Sequence, residues 1–441
     1  MADRGIIRLV LEDWNYWDRP VPASRTGHER DLTERILEVA TGKEVVAITG
    51  IRRCGKSTIL YQIMDRLIRQ GIPQRSVLLV NLEDHRLALQ LSPDLLEEVV
   101  ATWRQSVWPV GPGFILLDEV QEVPQWERWV RTLNDLHPEL RVVVTGSNSS
   151  LMAGELATLL TGRNLTFQAA PLSFREYLRF RGLDVAMQPG PHAAFFEHRN
   201  RENEILHYLE EHLEVGGYPE AVLADTPERR HALLQQYFAD ILAKDVAFRY
   251  QVRETRPMRD LALLLLRQLA SPVSAGKLAQ ALGTSRSWVL RVMGHLEESS
   301  LLNQCRHFSF SMRQSMAVQK PRKVYVADLG LRNAVCPSLT PDRGHLAENL
   351  LYQHLRLQGL EPTFWSGRRE VDFVLGPPDL AAVNLTWSDD IAPRELEGLL
   401  EFQAAHNAER ILLATRSRWQ PAEAGKPAMV PLWAVLLSSS P

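Results

Sequence analysis

Residues 50-GIRRCGKS-57 restrict this chain more than any other stretch of eight. They stand between an apolar, β-branched run, 45-VVAIT-49, and an apolar helical pattern, 59-ILYQIMDRLI-68. A strand that ends in a glycine-rich turn and passes directly into a helix is the local context of a phosphate-binding loop. Gly50 and Gly55 let the backbone curl, so that N–H groups along Gly50, Ile51, Arg52, Arg53, Cys54, Gly55, Lys56, Ser57 and Thr58 can face an anion. The following helix adds the positive end of its dipole. Lys56 would reach the β- and γ-phosphates, and the Ser57 hydroxyl would take one Mg²⁺ position. The pattern predicts ATP and Mg²⁺ as ligands. A chance match on an ordinary loop is the competing reading, and the motifs downstream weaken it.

A second apolar run, 114-FILL-117, ends in Asp118-Glu119. It has the form of a buried parallel strand that delivers acids at its carboxyl end. Asp118 would hold Mg²⁺ through water, and Glu119 would polarise the water that attacks the γ-phosphate. A third run, 141-RVVVTGSNSS-150, ends in small polar residues. Thr145, Ser147 or Asn148 can orient that water; Ser147 and Asn148 suit a helix N-cap equally well. The three runs together predict ATP binding and hydrolysis.

With 441 residues, 45% of them hydrophobic, the chain can bury two or three cores. A net charge of −3 excludes a globally basic protein, so any nucleic-acid surface must be local. Only seven of the 50 basic residues are lysine. Arginine suits bidentate phosphate contacts, although genome composition accounts for such a bias as readily. Cys54, Cys305 and Cys336 have neither paired spacing nor a nearby His cluster, which argues against a disulfide framework or zinc site and fits a reducing cytoplasm. Asp3 and Arg4 interrupt any apolar leader, and 261-LALLLL-266 is too short to span a bilayer. The expectation is a cytoplasmic protein with no membrane partner.

The expected fold class is α/β. Strands near 45–49, 76–81, 114–117 and 141–145 alternate with helices, predicting a parallel-sheet core over residues 1–180. Within it, 14-WNYWDRP-20 packs either on the core or near the nucleotide base. Residues 181–200 read as loop because of Gly182, Pro189, Gly190 and Pro191. Helical pattern fills the rest of 181–260. In 278-LAQALGTSRSWVLRVMGHLEESSLL-302 a helix stops at Gly283 and a second starts after Thr284 or Ser285, a helix-turn-helix signature. Strands over 301–310 and 322–330 would complete a winged helix spanning 261–330. No acid lies between Glu298 and Asp328, whereas Arg306, Arg313, Lys320, Arg322 and Lys323 do, with Phe308 and Phe310 interleaved. With Arg286 and Arg291 on the second helix, this strip suits DNA phosphates and base stacking. A structural helical hairpin with a solvated wing is the plain alternative. Residues 331–441 read as a second α/β domain, with a helix at 345–359 and strands at 362–366, 370–375, 380–386, 410–414 and 429–437.

The ordered motifs extend beyond a generic P-loop. They include 116-LLDEVQEVPQWERWV-130, 159-LLTGR-163, 171-PLSFREY-177, 216-GGYPE-220, 324-VYVADLGLRNAV-335, 347-AEN-349 and 370-EVDFVL-375. In this set the chain resembles a family of prokaryotic AAA-type ATPases that join an ATPase core, a helical lid, a winged helix and a C-terminal domain with a restriction-endonuclease-like fold. The resemblance implies that Arg163 is an arginine finger acting on a neighbouring subunit's γ-phosphate, against the plainer role of a salt bridge to Glu155 or another local acid. It also implies that Pro219 packs on the nucleotide base.

The resemblance further implies a nuclease-like centre built from a helical Glu, a strand Asp and an E-x-K strand. Glu348 and Asp372 match the first two, but Asn384 and Thr386 stand where the acid and lysine should be. That departure predicts a tail that no longer cuts DNA. The combined expectation is a DNA-binding AAA motor, assembled as a homo-oligomeric, hexameric ring, that remodels or translocates on duplex or branched DNA. The rival expectation is a nucleotide-gated regulatory module that binds DNA or protein without motor activity.

Overall fold

The apolar runs of the N-terminal part are consecutive strands of one sheet: β1 (Val45–Gly50), β2 (Val77–Asn81), β3 (Gly113–Asp118), β4 (Leu140–Ser147) and β5 (Asn164–Ala169). Their order is β2-β3-β4-β1-β5, and every pairing is parallel. Continuous β-branched runs are what strands covered on both faces require. The computed structural model describes residues 4–147, 162–309, 322–337, 342–376, 380–423 and 425–440. It divides into two units, Met1–Ala169 and Ala170–Pro441.

In the first unit β4 lies between β1 and β3, so the register sets Gly50 beside Ser147 and Leu117 beside Val144. The carboxyl ends of the strands that carry the glycine-rich loop and the acids therefore meet on either side of β4. The edge of β2 is covered by the N-terminal segment. The Asn15 amide donates to Leu79 O at 2.8 Å and accepts from Leu79 N at 2.7 Å, imitating a neighbouring strand. Trp17 Nε1 donates to Val77 O at 3.0 Å. Side chains thus satisfy an edge that would otherwise invite pairing with another chain. Of the two roles open to residues 14–20, packing on the core is the one found.

The second unit begins with helices. Pro191–His198 is a helix where a loop was expected: Gly190 stands at its N-cap and Pro191 at its first position, so these residues start an element instead of breaking one. Helices Glu202–Val215, Pro219–Val222 and Pro227–Asp240 follow, the last continuing into a π-helical stretch, Ile241–Phe248. After Thr255–Arg267 come Ala275–Leu282 and Arg286–Glu298, separated by Gly283 at φ +63° and capped by Ser285, which accepts from Trp288 N at 3.1 Å. Short antiparallel strands β6 (Pro272–Val273), β7 (Leu302–Cys305) and β8 (Arg322–Val326) form a sheet in the order β6-β8-β7. β8 stops well before 330 because Asp328 caps the helix Leu329–Val335, accepting from Leu331 N at 2.7 Å.

The last sheet, in the order β13-β12-β11-β10-β9, is mixed. It comprises β9 (Thr363–Ser366), β10 (Glu370–Leu375), β11 (Ala381–Leu385), β12 (Arg410–Thr415) and β13 (Ala428–Pro431), with helices Arg343–Leu357 and Pro393–His406. β9–β10–β11 pair antiparallel and β11–β12–β13 parallel. The expected strand 429–437 ends early, at Pro431, and Leu432–Leu436 is a helix buried on every side. A short, wholly apolar run fits a buried strand and a buried helix alike, and here Pro431 ends the strand. Among the described residues no helix is long and apolar enough to cross a membrane.

Candidate nucleotide-binding site

The loop between β1 and the helix Lys56–Arg69 takes three residues through positive φ: Gly50 at +155°, Arg53 at +68° and Gly55 at +102°. A Cβ on Gly50 would stand 2.1 Å from Ala169 O, so no other residue fits there. Arg53 accepts a conformation that costs a non-glycine residue energy, as residues at functional turns often do. Behind the loop, buried Arg30 donates from Nη1 to Cys54 O at 2.7 Å. Gln62, on the following helix, holds the segment that carries Arg30. Its Oε1 accepts from Arg30 N at 3.2 Å and Thr33 Oγ1 at 2.6 Å, while Nε2 donates to Thr26 O and His28 O. Cys54 is fully buried, its Sγ 3.5 Å from Ala169 O, and burial raises its thiol pKa. It is a protonated filler that leaves its backbone to the loop.

The Lys56 ammonium folds back over the loop, 3.3 Å from Gly50 O, 3.4 Å from Ile51 O and 3.8 Å from Glu119 Oε1. Asp118 is buried, and a hydroxyl from each neighbouring element points at it. Thr145 Oγ1 donates to Asp118 Oδ1 at 2.5 Å, and the Ser57 side chain hydrogen-bonds it from the loop. Thr145 Oγ1 also accepts from Glu119 N at 3.0 Å. One hydroxyl thus fixes both acids. Glu119 itself sits at φ 54°, ψ 51°, and its Oε2 accepts from Gln121 Nε2 at 2.6 Å. Burial raises the Asp118 pKa, with Glu119 adding to the rise, while the two hydroxyls oppose it. A buried carboxylate flanked by hydroxyls, and destabilised by burial, is a group that a divalent cation would stabilise. The residues present therefore fit Mg²⁺, which Ser57 and Asp118 would hold.

Of the three polar candidates, Thr145 bonds both acids; Ser147 is the last residue of β4, and Asn148 lies outside the described residues. Arg30, Gln62 and Gln121 carry no signal of their own in the sequence. Arg30 meets the loop from 24 positions away and is itself held by Gln62, 32 positions from it, and Gln121 looks like any polar residue after a strand.

Arg163 stands at the other end of the sheet. Val45 N donates to Arg163 O at 2.9 Å, and Val45 pairs with Asn164, whereas Gly50 pairs with Ala169. At ~3.3 Å per residue along β1, roughly 17–20 Å separates Arg163 from the loop of its own chain. Its guanidinium pairs with Asp135 on the helix Trp126–Leu136. The 216-GGYPE-220 segment has a packing role within the second unit. Gly216 lies at φ +76°, Gly217 N donates to Asp328 Oδ2 at 2.6 Å, and a Cβ on Gly330 would stand 1.9 Å from Val215 O. Pro219 starts the short helix that follows.

The basic strip divides. Arg286 and Arg291 are exposed on a helix whose opposite face buries Val289, Val292, Met293 and Leu296. Arg306 is exposed, and Arg322 is half-buried with Nη1 donating to Gln304 Oε1 at 3.2 Å. Arg313, Lys320 and Phe310 lie outside the described residues. Two expectations are corrected. Lys323 does not face DNA: it is 1% exposed, with its Nζ 2.8 Å from Glu348 Oε1, 2.7 Å from Glu370 Oε1 and 3.4 Å from Asp372 Oδ1. Strand alternation turns it to the face opposite Arg322. Phe308 is no stacking platform either, since it packs on Phe402 and His406 at the last sheet's core. Asn384, in the place of the expected acid, ties β10 down: Oδ1 accepts from Asp372 N, and Nδ2 donates to Glu395 O, both at 3.0 Å.

Comparison with known proteins agrees with this geometry. The chain is 29% identical over 356 residues to an uncharacterized protein of Methanocaldococcus jannaschii, covering 78% of this chain and 74% of that one. It is 26% identical over 391 residues to an uncharacterized protein of Haemophilus influenzae, covering 86% and 91%. Among solved structures, the Aeropyrum pernix ORC1 protein in complex with DNA overlaps 75% of this chain and 95% of its own, with 14% identity and a TM-score of 0.30, a likeness too slight to argue from. Residues 206–342 match a domain of unknown function, and residues 42–178 match the AAA domain. Over that last segment the chain carries an AAA domain, its P-loop and its strand-end acids lying at the carboxyl end of one parallel sheet.

Proposed function

We propose that the protein is an ATP-hydrolysing, DNA-binding motor that assembles as a ring and remodels or translocates on DNA, with branched junctions among its substrates. The observation that carries the hydrolytic part is the Thr145 hydroxyl, which joins Asp118 to the backbone of Glu119 while Ser57 reaches the same carboxylate from the loop. Lys56 neutralises the β- and γ-phosphates, and loop N–H groups with the helix dipole take the remaining charge. Mg²⁺, held by Ser57 and Asp118, would supply further charge neutralisation at the phosphates. Glu119 polarises the attacking water, and Gln121 holds one oxygen of its carboxylate so that the other turns toward Lys56 and the loop.

Arg163 belongs to this reading only in trans. Its place at the far end of β1 keeps it from its own chain's loop, so a ring, hexameric in the simplest case, is the arrangement that gives it a γ-phosphate to reach. Pro219 is assigned to the nucleotide base. Exposed Arg286, Arg291 and Arg306, with Arg322 beside them, support phosphate contacts that position DNA without reading its sequence. The tail is assigned a binding or assembly role. The test is ATPase rate against single-stranded, duplex, forked and four-way DNA. Stimulation by one structure, with strand displacement, is expected. Turnover indifferent to every DNA form would favour the nucleotide-gated regulatory reading.

A further inference from the structure

An ammonium removed from water costs several kcal/mol unless its charge and donors are met. Lys323 meets this cost with an unusual set. It has three donors, and three carboxylate oxygens stand around it at 2.7 to 3.4 Å, from Glu370, Glu348 and Asp372. The acids come from two elements. Glu370 and Asp372 are two apart on β10 and share a face, and Glu348 projects from the helix Arg343–Leu357. Lys323 and Tyr325 share a face of β8 in the same way, and Tyr325 Oη donates to Glu348 Oε1 at 2.6 Å. The second Asp372 oxygen accepts from Leu385 N at 2.9 Å. Burial, with Asp372 close by, pushes the Glu348 carboxyl up to about 8.

Three carboxylate oxygens converging on one point are also the donor set that a hard divalent cation collects. Among the described residues no group of three or more His, Cys, Asp or Glu stands ready to hold a metal ion, and in this centre Lys323 lies between the oxygens. Glu370 is 40% exposed, so the centre is open to ions from one side. We propose that the Lys323 ammonium is a built-in cation that fills the carboxylate centre of the C-terminal domain. It fastens β8 to β10 and keeps divalent metal out; without it the centre becomes a divalent-cation site. This stands apart from the ATPase reading, since the residues lie outside the nucleotide site.

The test titrates Mn²⁺ into full-length, nucleotide-free protein and follows free Mn²⁺ by electron paramagnetic resonance. Wild type, Lys323→Met and Lys323→Met/Asp372→Asn are compared, together with Asp372→Asn alone. Lys323→Met is expected to take up one more Mn²⁺ per chain than wild type, and to melt at a higher temperature as Mn²⁺ is added. The double variant should lose both effects. Folded Lys323→Met protein with no additional Mn²⁺ overturns the proposal. So does Mn²⁺ uptake by wild type that disappears in Asp372→Asn, because metal and lysine would then share the centre. If Lys323→Met purifies unfolded, recovery of its circular dichroism in Mn²⁺ supports the proposal, and failure to recover overturns it.

Discussion

Replacing Thr145 by valine keeps the shape of a fully buried side chain and removes only its hydroxyl. Two interactions go with it. The bond to Asp118 Oδ1, at 2.5 Å, is charge-assisted, and such bonds contribute about 1.5–3 kcal/mol. Glu119 N loses its acceptor, and an unsatisfied buried donor costs about 1–3 kcal/mol. The combined loss is roughly 3–5 kcal/mol, an upper range because water can enter beside Glu119. For a unit of this size that lowers the melting temperature of its transition by on the order of 10 °C. Lys56 and the loop N–H groups are untouched, so nucleotide affinity should change little while kcat falls at least tenfold. Asp118 also loses a donor that favours its charged form, which moves the acid limb of the pH–rate profile to higher pH. Differential scanning fluorimetry, a fluorescent-nucleotide titration and steady-state ATPase assays read these effects, with Thr145→Ser as the conservative control. A valine variant that melts and turns over like wild type refutes the bridging role.

Further outcomes test the rest of the assignment. Lys56→Ala should lose nucleotide binding by calorimetry, whereas Glu119→Gln should bind ATP and barely hydrolyse it, because an amide cannot polarise water as a carboxylate does. Arg163→Ala should keep its fold, since its exposed pair with Asp135 contributes at most about 1 kcal/mol, and should lower the rate by roughly 10³-fold. Mixing it with Lys56→Ala protein should then restore activity above the sum of the two, and a purely additive mixture removes the trans role. Loss of Arg286, Arg291 and Arg322 should weaken DNA binding evenly across sequences and flatten the logarithmic salt dependence by about one unit each. Finally, His212 is buried against Tyr177, ring centroids 4.4 Å apart, and burial lowers its pKa to about 3. The unfolded chain takes up a proton near pH 6.5 that the folded imidazole refuses. Its contribution is therefore present above pH 6.5 and is lost by about 1.4 kcal/mol per pH unit as the pH falls toward 3. Urea unfolding of His212→Phe at pH 7.5 and 5.0 should show a smaller acid penalty than wild type.

Much of the site was legible because its signals are local. A glycine-rich turn between a β-branched run and an apolar helix needs no partner to be recognised, and 45-VVAITGIRRCGKST-58 carries all of it. The acids of β3 followed from a buried run ending in Asp118-Glu119, and four parallel strands were visible as continuous apolar segments. Strand order was not. Parallel strands are joined by long crossovers, so nothing local says that β4 inserts between β1 and β3. That insertion brings Thr145 to both acids.

The errors share a different cause. Lys323 sits in a run of basic residues and resembles a phosphate contact, yet strand alternation buries it while Arg322 is left half-exposed. The carboxylates that meet it lie 25, 47 and 49 positions further along the chain. Phe308 was misread for the same reason, since the ring it packs on, Phe402, belongs to a distant helix. The short helix Leu432–Leu436 is apolar throughout, and an unbroken apolar run has no periodicity to reveal its element. Backbone conformation is set mainly by neighbours within a few residues, so the sequence alone determined the loop, the strands and their acids. Burial and charge pairing are settled by groups brought together only on folding, and the tertiary structure alone decided that Lys323 is locked among carboxylates while its neighbour Arg322 is left half-exposed.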